Sequence, residues 1–154
     1  DLEASQSEDA HALQKLAVED IRQATRRRLA ELDEGEWTLP DTLAVLVRNT
    51  RLWVLRHEGV LRATLLQHKD DAAGWAPFRR MTHDFVEGLV PRVERLLGGG
   101  AVDIEGRRLR IRFAFQMMFG TIVNAAINNP GPLALSDRRM DAELTRALGH
   151  YLDA

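Results

Sequence analysis

Asn49, Trp53 and His57 stand four residues apart, a spacing that stacks them on one side of a helix. Together they bring an amide, an indole N–H and an imidazole to a single stripe, and buried polar groups need partners. Two readings follow. Either these are core residues satisfied by backbone carbonyls, or they are the few polar groups that orient a small ligand in an otherwise apolar cavity. Trp75, Phe78, Met81, Phe85, Phe115, Met118 and Phe119 suit both, since aromatics and methionines line cores and adaptable pockets alike. Asn124, one turn after Gly120, is a second polar outlier, open to a pocket or to a contact between subunits.

Patterns that carry catalysis are missing. The chain has no His-Glu-x-x-His, no Gly-rich phosphate loop and no Gly-x-Ser-x-Gly elbow. His83 and Glu87 lie one helical turn apart, but two ligands make a poor metal site and a surface pair is the simpler expectation. Ser5, Ser7 and Ser136 fall in a tail or at a helix cap, poor places for a nucleophile. Arg26, Arg27 and Arg28 sit near a helix C-terminus, where cations favour the dipole, and read as a solvated end rather than a DNA contact. The acidic Asp141–Glu143 stretch reads as a solvated face. No catalytic residue, metal or cofactor is therefore expected.

The 154 residues fit one domain with a sizeable core, at an ordinary 45% hydrophobic and 29% charged. With no cysteine, disulfides and thiolate zinc sites are excluded. No apolar run is long enough to span a membrane, and the net charge of −2 argues against nucleic-acid binding by these residues themselves. Charge is uneven: residues 1–36 hold ten acids against five bases, and the rest thirteen against sixteen. The chain opens on Asp1 rather than Met, which reads as a fragment, a processed product or part of something longer.

The elements that must position these residues are helices. Residues 1–9 read as a polar tail, and 10–154 as one all-helical unit. Apolar residues recur at helical spacing from Ala10 to Leu32. Thr38-Leu39-Pro40-Asp41 is a helix start with a cap, a first-turn proline and a capping-box acid, and that helix runs to about His57. A shorter helix follows over 60–69, then a loop over 70–77, then a helix over 78–97 with Pro91 inside it. Gly98-Gly99-Gly100 ends it, and Asp103 caps the next. That next helix, 107–128, is apolar nearly all the way round, so one face is expected against the core and another against a second subunit. One reason to tolerate Gly120 in its middle is a close approach by another helix. Ser136 is the expected cap of a last helix over 137–152. The fold expected is an all-α bundle of about six helices.

The segment LVRNTRLWVLRHEGVLRATLLQ (46–67), a Pro-containing helix, a Gly loop, a long apolar helix and a short last helix resemble, in that order, the C-terminal regulatory domain of TetR/AcrR-type transcriptional regulators. The resemblance implies a cytoplasmic homodimer that binds a small apolar or amphipathic effector and, through an N-terminal helix-turn-helix, represses transcription. No stretch here matches that helix-turn-helix, so DNA is a partner only through a segment outside these residues. By position, 10–32 becomes the connecting helix, and the pocket is lined by Asn49, Trp53, His57, Phe78, Met81, Phe85, Phe115, Met118, Phe119 and Ile122. The dimer contact, a four-helix bundle of the last two helices of each subunit, takes Phe113, Met117, Gly120, Asn124, Ile127, Met140, Leu144, Leu148 and Tyr151. The alternatives are a small dimeric helical enzyme using His57 as acid/base, and a ligand-binding adaptor without DNA-binding activity.

Overall fold

The computed structural model describes residues 2–67, 72–100 and 103–153, with the side chains of 7, 65–67 and 72–75, Trp75 included, outside that description. Six helices follow one another: α1 (Leu2–Glu34), α2 (Leu39–Arg56), α3 (Glu58–Gln67), α4 (Ala72–Leu96), α5 (Ile104–Ile127) and α6 (Arg139–Asp153). The described residues contain no strand, and none of their helices is long and apolar enough to cross a membrane. The all-α class is as the sequence indicates.

α2 begins where its chemistry says it should. Thr38 is extended, its Oγ1 accepts from the Asp41 N–H at 3.2 Å, and Pro40 sits in the first turn, where a missing N–H leaves no bond unmade. Its inward stripe, Leu39, Leu43, Leu46, Val47 and Val54, packs most extensively against α6. α6 answers with Met140, Leu144, Leu148 and Leu152, a single apolar face repeated every four residues. α5 touches α2, α3, α4 and α6, with Ile111, Ala114, Phe115, Met118, Ile122, Ala125 and Ala126 buried at the centre.

α5 is not buried all round. Leu109 and Phe113 are 66% and 43% exposed, and Gln116, Gly120, Thr121 and Asn124 share that outer side. A long helix at the side of a bundle needs only half its circumference covered.

Several boundaries differ from the sequence reading. α1 takes in the stretch 1–9 from Leu2 onward, and its described side chains from Leu2 to Leu16 are exposed except half-buried Gln14. It meets the bundle from Ala17, chiefly against α4, where Gly88 lets Leu29 close in: a Cβ on Gly88 would lie 3.1 Å from Leu29 Cδ1. The 70–77 loop gives way to helix from Ala72, which the two alanines favour and Pro77 does not end. Residues 68–71, including the expected end of the preceding helix at 69, lie outside the described ones.

Ser136 does not cap α6. Asp137 does, its Oδ1 accepting the Arg139 backbone N–H at 3.0 Å while its carboxylate also takes the Arg139 guanidinium. The guanidinium bonds first, and the backbone bond second, hold this carboxyl down at about 2. An unfolded aspartate titrates near ~3.9, so the contribution is complete above that pH and is lost as pH falls toward 2. We expect the urea midpoint to fall between pH 4 and pH 2, and Asp137→Asn to flatten part of that fall. An unchanged slope in the variant would remove Asp137 from the acid response.

Candidate functional site

The Asn49–Trp53–His57 stripe is present, but its members face different chemistry. Asn49 turns its amide back onto its own helix, Nδ2 donating to the Val45 carbonyl at 2.8 Å. His57 is the C-cap of α2, its backbone N–H donating to the Trp53 carbonyl at 3.1 Å, so it stands at the α2–α3 junction. Its Nε2 reaches Asp20 Oδ2 on α1 at 2.7 Å, and Arg56 Nη1 stands 3.6 Å from the same oxygen. Asp20 was invisible as a partner because a residue 37 positions away has no periodicity in common with His57.

Trp53 lies between these groups and the core. Its ring centroid is 5.0 Å from that of His57 and 6.5 Å from that of Phe78. Its Nε1 is buried and has no hydrogen-bond partner among the described residues. A buried donor left unbonded costs about 1–3 kcal/mol, and an acceptor brought by a ligand would recover it. The arrangement is a short polar chain, indole to imidazole to carboxylate, linking the α2–α3 junction to α1.

The remaining residues expected to line a pocket divide into two groups. Phe78, Met81, Phe115, Met118 and Ile122 are buried in the continuous core. Phe85 and Phe119 are half-buried on the α4–α5 side, edge to face with centroids 6.3 Å apart. Phe119 also lines a shallow apolar groove of about 470 Å³ between α4 and α5, together with Val86, Gly120 and Val123. Beside it Glu87 accepts from Arg112 at 2.8 and 3.2 Å, which holds the glutamate below the usual carboxylate range and commits its oxygens away from His83. Among the described residues no group of three metal-ligating side chains occurs.

The expected dimer residues also separate. Phe113, Gly120 and Asn124 are exposed, Met117, Ile127 and Tyr151 half-buried, and among the described residues nothing outside the helix itself stands within 4 Å of where a Gly120 Cβ would be. Phe113 meets Tyr151 edge to face at 5.8 Å, and Arg110 lies over the same tyrosine ring. Met140, Leu144 and Leu148 are instead buried within the chain, because the one apolar face of α6 is spent on α2.

The group the sequence reading missed is Arg51. It is 2% exposed, and it donates Nε and Nη2 to the two oxygens of Asp141 at 2.6 and 3.0 Å and Nη1 to the Leu135 carbonyl at 3.1 Å. The hydrogen-bonded carboxylate holds the guanidinium above its ordinary value against the cost of burial. Asp141, read above as part of a solvated face, is thus the tie between α2 and α6. The signal was there in the spacing: Arg51 falls four after Val47 and three before Val54, on the inward stripe.

No family model matches this chain, and neither does a characterised protein or a solved structure.

Proposed function

We propose that this chain is the effector-sensing and dimerisation domain of a TetR-like transcriptional regulator acting in the cytoplasm, a repressor whose DNA binding responds to a small apolar or amphipathic ligand. The observation that carries this reading is the Trp53 indole N–H, buried without a partner among the described residues beside the His57–Asp20 link to α1. A ligand acceptor that takes this N–H displaces the indole, then the imidazole tilted against it, then the α1 carboxylate, so occupancy becomes a tilt of α1. The exposed first half of α1, with Leu2, Leu13 and Leu16 on it, is the place for a helix-turn-helix to attach. Two such heads in a dimer read half-sites one turn of B-DNA apart, and a ligand changes their spacing only by its differential affinity for the two states. The outer side of α5, with Phe113, Gly120 and Asn124, is the surface for the second subunit, with open space over Gly120 for a close approach.

Trp53→Phe tests the reading, because it removes the N–H and keeps an aromatic ring. A panel of uncharged aromatic ketones and amides is screened by thermal shift, and any ligand found for the parent protein is titrated into the variant. The expected result is binding about tenfold weaker with the dimer intact by sedimentation. Loss of the dimer and of folding together would make Trp53 a core residue and end this assignment. His57 held by Asp20 is also the geometry of an acid/base group and its orienting carboxylate, the one observation that favours an enzyme. Turnover abolished by His57→Ala would decide for it.

A further inference from the structure

Away from that site, the end of α1, the turn into α2 and the last two turns of α4 enclose a cleft of about 370 Å³. That is within the range of small-molecule sites. Trp37 forms one wall. Its indole N–H donates to the Glu31 carbonyl at 3.0 Å, and Gly35 must lack a side chain for the ring to sit there, since a Cβ would lie 2.5 Å from Trp37 Nε1. Leu32 and Leu96 add apolar surface.

The polar groups of the cleft are of two kinds. Arg92 is fully committed: Nε and Nη2 donate to the two oxygens of Asp33 at 2.8 and 2.6 Å, and Nη1 to the Gly88 carbonyl at 2.6 Å. Those bonds hold Asp33 as a carboxylate, below its usual range. Two donors remain without a hydrogen-bond acceptor among the described residues. Thr42, which lines the cleft, is completely buried and its Oγ1 has no partner among the described residues. Arg95, 65% exposed, stands 3.6 Å from Asp33 with no hydrogen bond among the described residues.

We propose that this cleft binds a small aromatic monocarboxylate, its ring against Trp37, Leu32 and Leu96 and its carboxylate oxygens accepting from Arg95 and the Thr42 hydroxyl. Glu36, exposed at the rim, disfavours a second negative charge on the ligand, and the Asp33 carboxylate is already neutralised by Arg92. A flat body suits an indole wall, and an anion suits a guanidinium whose ion-pair partner, Asp33, stands beyond hydrogen-bonding distance. The site is separate from the Trp53 cluster, so the protein carries two places where a small molecule could act.

Sodium benzoate is the probe, titrated calorimetrically into the full chain, with benzamide as the uncharged control. Saturable binding of one benzoate per chain is expected, with benzamide several-fold weaker. Thr42→Val removes a hydroxyl that bonds to nothing, so the unfolding midpoint stays within a degree or two while benzoate affinity falls about tenfold. Arg95→Gln, on an exposed side chain that cannot unfold the protein, is expected to weaken benzoate by a similar factor and to leave benzamide unchanged. Trp53→Phe leaves benzoate binding as it was. No saturable binding, wild-type affinity in either cleft variant, or loss of binding in a Trp53→Phe protein shown to be folded would each overturn the assignment. Should Thr42→Val fail to fold, Arg95→Gln alone decides.

Discussion

Arg51→Ala is expected to lower the unfolding free energy by about 3–5 kcal/mol, the largest effect of any single charged-residue change in this chain. The size follows from what is left behind. Asp141 keeps a carboxylate that was bonded twice and is only 21% exposed, and the Leu135 carbonyl loses its donor at the same time. A surface ion pair would cost no more than about 1 kcal/mol, so the two descriptions are well separated. Arg51→Lys should recover little, because an ammonium cannot meet both carboxylate oxygens and the carbonyl with one fork. The informative partner is the double variant Arg51→Met/Asp141→Ala, which removes both charges and fills part of the space. It should lie well above Arg51→Ala in stability, since an apolar replacement for a buried pair is often close to neutral. Urea unfolding of the four proteins gives the comparison. A loss under about 1 kcal/mol in Arg51→Ala would mean that water already reaches the pair.

Arg51 also shows where the sequence stopped being readable. Two helix starts were legible, because their capping groups are local: Thr38 with Asp41, and Asp103 with the Gly106 N–H, each act over three residues. The order of helices was legible for the same reason, with Gly98–Gly100 and the Asn128–Leu135 stretch interrupting the periodicity. What covers each face was not. The apolar stripe of α6 looks the same whether it meets α2 or a second subunit, and the sequence pattern could not say that Met140, Leu144 and Leu148 are buried within the chain. Leu13 and Leu16 fit a helical period and yet lie 54% and 68% exposed, because period says which residues share a side and not whether anything stands there. The candidate site follows this rule. Asn49, Trp53 and His57 were found by local spacing, whereas Asp20 and Asp141, which decide what two of the stripes do, come from other helices.

The same distinction gives the second large effect. Phe115 was read as either core or pocket wall, and it is fully buried in α5 among the residues that α2, α4 and α6 close upon. Phe115→Ala is therefore expected to cost about 3–5 kcal/mol, the transfer of a buried aromatic plus the cavity left where the surrounding helices cannot collapse. A wall of an open, hydrated pocket behaves otherwise: truncation there widens a space that already exists and costs much less. Phe119→Ala is the internal comparison, because Phe119 sits on the same helix but half-buried at the α4–α5 groove. Its loss should be about 1–2 kcal/mol, in keeping with a side chain that keeps contact with solvent. Urea unfolding measures both. Near-equal losses would place Phe115 beside a cavity, and the effector site would then extend from Trp53 into the centre of the bundle. A gap of more than about 2 kcal/mol makes Phe115 core and keeps the proposed Trp53–His57–Asp20 site out of the centre of the bundle.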